Sequence, residues 1–276
     1  MKNYLKPAGI LALALTLFIS CSDDEGEEKV EDVIEETGLT ITTYDNGELG
    51  GILVNQDNQS MYFFAEDVNG QRNCDGGCAD VWPPVVGEIY ELEIGSDLDE
   101  SDFGTIAIGD GQKQITYKGW PLYYFSTEGN GELEAPGATE GDGRGGVFHI
   151  AKPDYTVLIA KQVVEEGGEP EVYLVNDKGV SLYLNLDDNY NQSNCVGGCA
   201  GVWPPFQDQE YLVLPSSLNP EDFYTVERED DLGPQASFKG FPMYFFSNDE
   251  GNRGSVLGQA GGPNQTFFVT QANPIQ

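Results

Sequence analysis

The chain has 276 residues, 39% hydrophobic and 11% aromatic, enough apolar surface for a buried core, which excludes a wholly disordered protein. Its 47 acidic residues against 13 Lys and Arg give a net charge of −34. That charge argues against nucleic acid or anionic lipid as a partner, because both need a basic surface. The 35 Gly and 15 Pro, dispersed among β-branched and aromatic runs, predict an all-β fold of short strands and turns.

Residues 1–20 have the pattern of a signal peptide. Lys2 and Lys6 precede an apolar run, residues 10–19, that is too short to span a bilayer as a mature helix. The sequence up to Cys21 resembles a bacterial lipobox, which makes Cys21 the predicted lipidated first residue of the mature protein, the site of palmitate attachment. An ordinary secretory signal followed by a chance cysteine is the alternative.

Residues 21–38 are predicted to be an acidic tether behind the lipid. The segment Ser22–Glu25 resembles the acidic export signals of lipoproteins on the outer face of the outer membrane. A run of like charges repels itself and stays extended, so we expect no packed structure there. The expected location is the outer membrane, surface-exposed, with the N-terminal lipid as the only membrane contact.

The rest of the chain is a duplication. The segment Asn73–Pro84 returns at Asn194–Pro205, and Lys118–Tyr123 returns at Lys239–Tyr244, both after 121 residues. The repeat predicts two tandem homologous modules, residues 39–153 and residues 154–276, which we call the first and the second module.

Each module divides again into two half-units based on hairpins. An aromatic strand running into an acidic residue occurs four times, with the leading tyrosines 60 or 61 residues apart, at Tyr62–Asp67, Tyr123–Glu128, Tyr183–Asp188 and Tyr244–Asp249. Turns rich in Gly, Asn and Asp precede these strands, as in hairpins. Further strands are predicted at residues 39–44, 104–108, 147–151, 156–160, 211–214, 224–227 and 266–270. Two sandwich-like or barrel-like modules fit this pattern, and so does a single four-bladed propeller.

Two cysteine pairs lie at equivalent places in the two modules. An exported protein meets an oxidising environment, so disulfides are expected. Among three connectivities we favour Cys74–Cys78 and Cys195–Cys199, because the Gly-Gly between the members of each pair allows a tight turn.

Two other uses of these cysteines stay open. A Cu(I) site could combine the thiolates with Met61 or Met243, and a disulfide could cycle between redox states. Asp75 and Asp80 flank the first pair, and neighbouring acids raise the pKa of a thiol, which weakens the redox interpretation.

All three tryptophans, Trp82, Trp120 and Trp203, precede proline, and Phe241 takes the fourth equivalent position. Proline holds the preceding residue in extended geometry. These side chains could either plug the core where a strand begins or form an exposed ledge for a carbohydrate or peptide.

The four acidic residues that end the aromatic strands also allow two interpretations. Their oxygen atoms could bind a divalent cation such as Ca²⁺, or they could cap turns by accepting backbone hydrogen bonds. The residues concerned are Asp67, Glu128, Asp188 and Asp249.

Catalysis has little support in the sequence. His149 is the single histidine and lies on a predicted strand, and no Gly-x-Ser-x-Gly motif occurs. Gly141, Gly143 and Gly146 have a Gly-x-Gly-x-x-Gly spacing but no helix is predicted after them, so we interpret them as a flexible loop. We expect no catalytic residues and no cofactor.

Taken together, these residues resemble the secreted bacterial lipoproteins that carry a Tyr-x-aromatic-x-x-Asp motif, a secreted repeat of unknown function. The matching elements are Tyr62–Asp67, the Cys74–Cys78 loop with Trp82-Pro83-Pro84, Gly119–Phe125, their partners in the second module, and the Gly-rich stretches Gly141–His149 and Gly258–Val269. The chain departs from the pattern at Asn185 and Glu128, and has Phe148 and Phe268 where Trp is common. The resemblance implies an exported all-β protein and supplies no activity.

The sequence thus favours a non-enzymatic surface lipoprotein, a rigid scaffold for binding or adhesion to an unidentified surface ligand. The alternative is an envelope protein for redox chemistry or metal handling, namely electron transfer, copper or calcium, that uses the cysteine pairs or the acidic turns.

Overall fold

The structure, a computed structural model, describes residues 38–207 and 211–273, which belong to one compact unit. The predicted signal peptide, Cys21 and residues 22–37 lie outside the described residues. In the described part short strands dominate and the helices are one or two turns long, which confirms the all-β prediction. None of its helices is both long enough and apolar enough to cross a membrane.

The first module contains eight described strands and one short α-helix. They are β1 (Thr40–Asp45), β2 (Gly51–Asn55), β3 (Tyr62–Phe64), α1 (Gly77–Val81), β4 (Glu93–Ile94), β5 (Phe103–Gly109), β6 (Gln112–Tyr117), β7 (Trp120–Pro121) and β8 (Phe148–Ile150). Single turns of 3₁₀-helix lie at Ala65–Asn69, Ile89–Glu91, Glu100–Asp102 and Arg144–Gly146.

The second module repeats most of this order in the described residues. Its elements are β9 (Val157–Val163), β10 (Pro170–Asn176), β11 (Tyr183–Asn185), α2 (Gly198–Val202), β12 (Phe223–Val226), β13 (Gln235–Phe238), β14 (Phe241–Tyr244) and β15 (Phe267–Val269), with 3₁₀ turns at Pro220–Asp222 and Ser247–Asp249. The strand predicted at residues 211–214 is not present, and Val213 instead exchanges hydrogen bonds with Thr156.

In the second module β9 and β10 form a two-stranded sheet, and the other five strands, which come from both half-units, form one sheet in the order β12-β13-β14-β11-β15. In the first module β5-β6-β7 and β3-β8 have the same order, joined by a bridge between Tyr62 and Tyr123. Because a first-half strand lies between second-half strands, the half-units do not form the separate blades that a propeller needs. The described strands form several small sheets and no closed barrel.

Local chemistry explains the hairpin turns. Asn55 and Asn176 end β2 and β10, and each side-chain oxygen accepts hydrogen bonds from two backbone N–H groups of the following turn. Between β6 and β7, Lys118 and Gly119 have φ values of 48° and 79°. A two-residue hairpin turn of the type I′ class needs positive φ at both positions, which explains the Lys-Gly pair in each module.

The hydrophobic core crosses the boundary between the modules. One buried cluster joins Trp120 and Leu122 of the first module to Tyr173 and Val175 of the second. A second cluster joins Ala65 to Ile159 and other residues of the second module. Burial of this shared apolar surface holds the two modules against each other.

Polar contacts across the same boundary centre on Arg253. Its guanidinium lies 4.7 Å from the centroid of the Trp120 ring and donates to the carbonyl oxygens of Val68, at 2.7 Å, and Lys118, at 3.1 Å. Lys118 also forms an ion pair with Asp177 at 2.8 Å. Removal from water lowers the pKa of Arg253 to about 10, so the side chain stays charged at neutral pH.

We predict that Arg253→Met destabilises the protein by about 2–3 kcal/mol, because the loss of the guanidinium leaves two carbonyl oxygens without donors and removes a cation–π contact. Urea unfolding followed by tryptophan fluorescence measures the change. Lys178→Met, at an exposed position, is the control and should leave the unfolding midpoint unchanged. Equal midpoints for the two variants would contradict the role given to Arg253.

Candidate functional site

The four motif tyrosines are buried, and each hydroxyl donates a hydrogen bond to a carboxylate. The donor and acceptor come from different half-units of the same module, so each bond ties the two half-units together. The pairs are Tyr62 with Glu134 (2.5 Å), Tyr123 with Asp67 (2.6 Å), Tyr183 with Asp249 (2.7 Å) and Tyr244 with Asp188 (2.6 Å).

The structure contradicts the prediction that Glu128 is the motif carboxylate of the second half-unit. Glu128 is aligned with Asp249 in the repeat, but its side chain is exposed. The loop after it carries Glu134 inward, where it is 4% exposed and accepts the hydrogen bond from Tyr62. The hydroxyl of Tyr62 therefore still has a carboxylate partner. That partner lies six residues further along the chain than the repeat predicts, so the spacing of the motif does not reveal it.

The second oxygen of the carboxylates shapes the neighbouring loops. Asp67 accepts a hydrogen bond from the backbone N–H of Asn73 at 2.7 Å, and Asp188 does the same for Asn194 at 2.7 Å. Asn73 and Asn194 immediately precede the first cysteine of each pair. Both carboxylates therefore act as the turn-capping interpretation proposes, and they hold the entry to the disulfide loops.

Burial sets the protonation of these pairs. Desolvation raises the pKa of Asp67 to about 7, although hydrogen bonds from Tyr123 and Asn73 act in the opposite direction. Desolvation also raises the pKa of Glu134 to about 7 and that of Asp188 above its ordinary value. The pKa values of Tyr62 and Tyr123 are raised as well, first by burial and then by the adjacent carboxylates.

Both favoured disulfides form, Cys74–Cys78 and Cys195–Cys199, each with 5.2 Å between its Cα atoms. The second cysteine of each pair lies in the short helix α1 or α2, and an arginine, Arg72 or Arg228, donates to the carbonyl oxygen of the first at 2.8 Å. Once oxidised, these cysteines offer no thiolates to Cu(I), and Met61 and Met243 are both fully buried.

The Trp-Pro residues are core plugs. Trp82 stacks on Phe148 with centroids 3.8 Å apart, and Trp203 stacks on Phe267 at 3.7 Å. Trp120 is 1% exposed and lies beneath Arg253. The structural equivalent of Phe148 is thus Phe267, whereas the sequence comparison placed Phe268 there.

The Gly-rich stretches are packed against these rings, which corrects the flexible-loop prediction for Gly141, Gly143 and Gly146. The backbone N–H of Gly141 faces the Tyr62 hydroxyl at 3.3 Å, and an added Cβ would lie 2.8 Å from both Tyr62 and Trp82. Gly258 makes the same approach to Tyr183 and Trp203. Glycine is required there because the backbone touches the aromatic rings.

His149 is 1% exposed, and neither ring nitrogen has a hydrogen-bond partner. Burial lowers its pKa to about 4, so the ring is neutral at physiological pH. Within residues 38–207 and 211–273, no group of three or more His, Cys, Asp or Glu side chains is placed to hold a metal ion.

Sequence reasoning missed an apolar groove on the second module. Its lining includes four apolar residues that are not fully buried, which we call the open face: Leu184, Leu186, Phe241 and Phe268. Leu186 is 64% exposed and the other three are half-buried. In the repeat Leu186 takes the place of Ala65 and Phe241 that of Trp120, but this difference points to a groove only once the structure shows that Ala65 and Trp120 are buried.

Fold and site together define an all-β protein of duplicated modules in which the repeated motif residues build the core. Residues 43–86, 104–152 and 173–207 match the family described as a secreted repeat of unknown function. These three matches confirm the resemblance to this family, and the family's secreted character indicates an extracellular location. No curated protein matches the chain. No solved structure matches it either.

The matched segments lie within the first three half-units. The fourth, around β14 and β15, lies outside the match but has the same geometry, with Tyr244 on Asp188 and Trp203 on Phe267. The fold therefore contains a fourth copy of the repeat that the sequence match does not reach.

We predict that Gly141→Ala and Gly258→Ala each destabilise the protein by about 1–3 kcal/mol, because the new methyl group overlaps two aromatic rings. Gly77→Ala and Gly201→Ala are matched controls with nothing within 4 Å of the added Cβ, and they should be neutral. Thermal unfolding by circular dichroism distinguishes the two groups. A flexible loop would instead leave all four variants with similar melting temperatures.

A second prediction concerns pH. Because the folded protein raises the pKa of Asp67 from 3.8 to about 7, the contribution of this group to stability is fully present below about pH 4 and is lost as the pH rises through 7. The slope is at most about 1.4 kcal/mol per pH unit. Asp67→Asn should reduce the difference in unfolding free energy between pH 5 and pH 8.

Urea unfolding at the two pH values provides the measurement for this prediction. Glu132→Gln is the control, since Glu132 is an exposed carboxylate that should leave the difference as it is in the original chain. If Asp67→Asn keeps the full difference between pH 5 and pH 8, another group causes the pH dependence.

Proposed function

We propose that the protein is a non-enzymatic binding or adhesion scaffold, displayed on the outer membrane through a lipid on Cys21. The main observation behind this proposal is the exposed apolar surface of the open face. A monomeric chain has little reason to expose adjacent aliphatic and aromatic side chains, and contiguous apolar patches of this kind are typical of interaction sites. The ligand is a surface component of the cell or its surroundings.

The arrangement of the motif residues supports a scaffold. The tyrosines, their carboxylates and the Trp-Pro residues are buried, and the hydrogen-bonding capacity of each carboxylate is directed to protein groups. Such residues fix the fold and leave the exposed surface to recognition. The disulfides pin the two equivalent loops, and by the chain-entropy relation each small ring contributes only about 2 kcal/mol.

The anchor is tested by metabolic labelling with a palmitate analogue. We expect label and membrane association in the original chain and neither in Cys21→Ser, because the thiol of Cys21 is the only proposed site of lipid attachment. Protease treatment of intact cells then reports surface exposure. Labelling that persists in Cys21→Ser would refute the anchor.

The open face is tested by photocrosslinking in cells that export the protein. A photoreactive amino acid at Leu186 should yield a discrete crosslinked product, because the proposed ligand contacts this side chain. The same amino acid at Tyr90, which is 77% exposed on the first module, is the control and should yield none. Equal yields at the two positions would show that the open face has no ligand.

A further inference from the structure

The equivalent of the open face in the first module is covered. Phe63, Ala65, Trp120 and His149 occupy the places of Leu184, Leu186, Phe241 and Phe268, and each is at most 3% exposed. Ala65 belongs to a hydrophobic cluster with Val157 and Ile159 of β9, and the indole N–H of Trp120 donates to the carbonyl oxygen of Asp177 at 2.9 Å. The second module thus covers this face of the first module, and the covering residues show what kind of surface binds there.

Three polar side chains of the second module complete this internal contact. Lys161 forms an ion pair with Glu66 at 2.8 Å. Asp177 forms the ion pair with Lys118, and Arg253 lies over Trp120. An apolar strand with a lysine near its end, an aspartate in the hairpin turn and an arginine in a neighbouring loop is therefore the surface that binds.

The second module retains equivalents of the first-module residues that make this contact. Asp187 stands where the first module has Glu66, Lys239 stands at the place of Lys118, and Phe241 stands at the place of Trp120. Asp187 is exposed, and the Lys239 side chain is 48% exposed. Acidic, basic and aromatic groups are thus retained in the same positions around the open face. One position differs, because the ring of Tyr190, which is 67% exposed, lies over Gly240 where Arg253 lies over Gly119, so a basic side chain of a partner must displace this ring or stack on it.

A second copy of this chain does not supply the other side. The strand registers place Thr43 and Asp45 of β1 at the positions of Ile159 and Lys161 of β9. Asp45 would therefore face Asp187, and like charges in an interface oppose association. Gln56 takes the place of Asp177, and Pro136 takes the place of Arg253, since Gly137 and Gly254 donate equivalent hydrogen bonds to their hairpin turns.

We propose that the open face binds a β-hairpin module of another exported protein, one that carries basic residues at the positions of Lys161 and Arg253 and an acidic residue at that of Asp177. The partner repeats the contact that the second module makes with the first. This inference rests on the proposed function, because it names the ligand of the same face. The net charge of −34 favours such a basic partner over long range.

To test this proposal, substitutions in the first module introduce the charged groups that Lys161, Asp177 and Arg253 supply in the second. The variant Asp45→Lys, Gln56→Asp, Pro136→Arg changes three exposed residues and should associate head to tail, since the first module of one molecule can then cover the open face of the next. Sedimentation velocity of the purified chain should show a rise of roughly twofold or more in weight-average mass. The unchanged chain should stay monomeric.

Two further variants locate the contact. Adding Leu186→Lys to the triple variant should restore the monomer, whereas adding Leu232→Lys, at another partly exposed leucine, should not. The proposal is overturned if the triple variant remains monomeric, or if the unchanged chain already associates through Leu186, which would make a second copy the occupant. Crosslinking at Leu186 in cells, together with a monomeric triple variant, would leave the scaffold function standing and reject only this partner.

Discussion

The hydrogen bond between a buried tyrosine and a buried carboxylate is the constraint on which the rest of this structure depends. Tyr123 on Asp67 connects the second half-unit of the first module to the first, and Tyr244 on Asp188 does so in the second module. The same carboxylates accept the backbone N–H groups that lead into the disulfide loops. Because a buried polar group without a partner is costly, these few bonds fix both the pairing of half-units and the position of the cysteine loops.

Much of the fold follows from the sequence, because repeated sequence must adopt repeated structure. The duplication, the hairpin turns at Lys118-Gly119 and the local disulfides rest on short-range chemistry that spacing reveals. The sheet order was beyond such reasoning, since only the folded chain shows that β11 lies between β14 and β15. Whether the chain is best divided at residue 153 stays a prediction, although the buried core crosses that boundary.

The candidate site shows a different limit. Repeat alignment identifies residues that build the same structure twice, so it pointed to the tyrosines, acids and Trp-Pro residues that form the core. It failed where the chain achieves the same contact by another route, as with Glu134 in place of Glu128. It also passed over Leu186, because an aliphatic residue in a loop carries no signal until its equivalent, Ala65, is seen to be buried.

The two equivalent faces differ, since that of the first module is covered and the open face of the second is exposed, so the two ends of the module series are not alike. A third module added after the second could continue the series, and in the first hairpin Asp45 stands at the position that Lys161 takes in the contacting hairpin. Equivalent positions therefore answer to different constraints. Phe63 is constrained by packing within its own chain, whereas Leu184 is constrained by the ligand of the open face. One copy of the repeat therefore forms part of the core, and the other forms a contact surface.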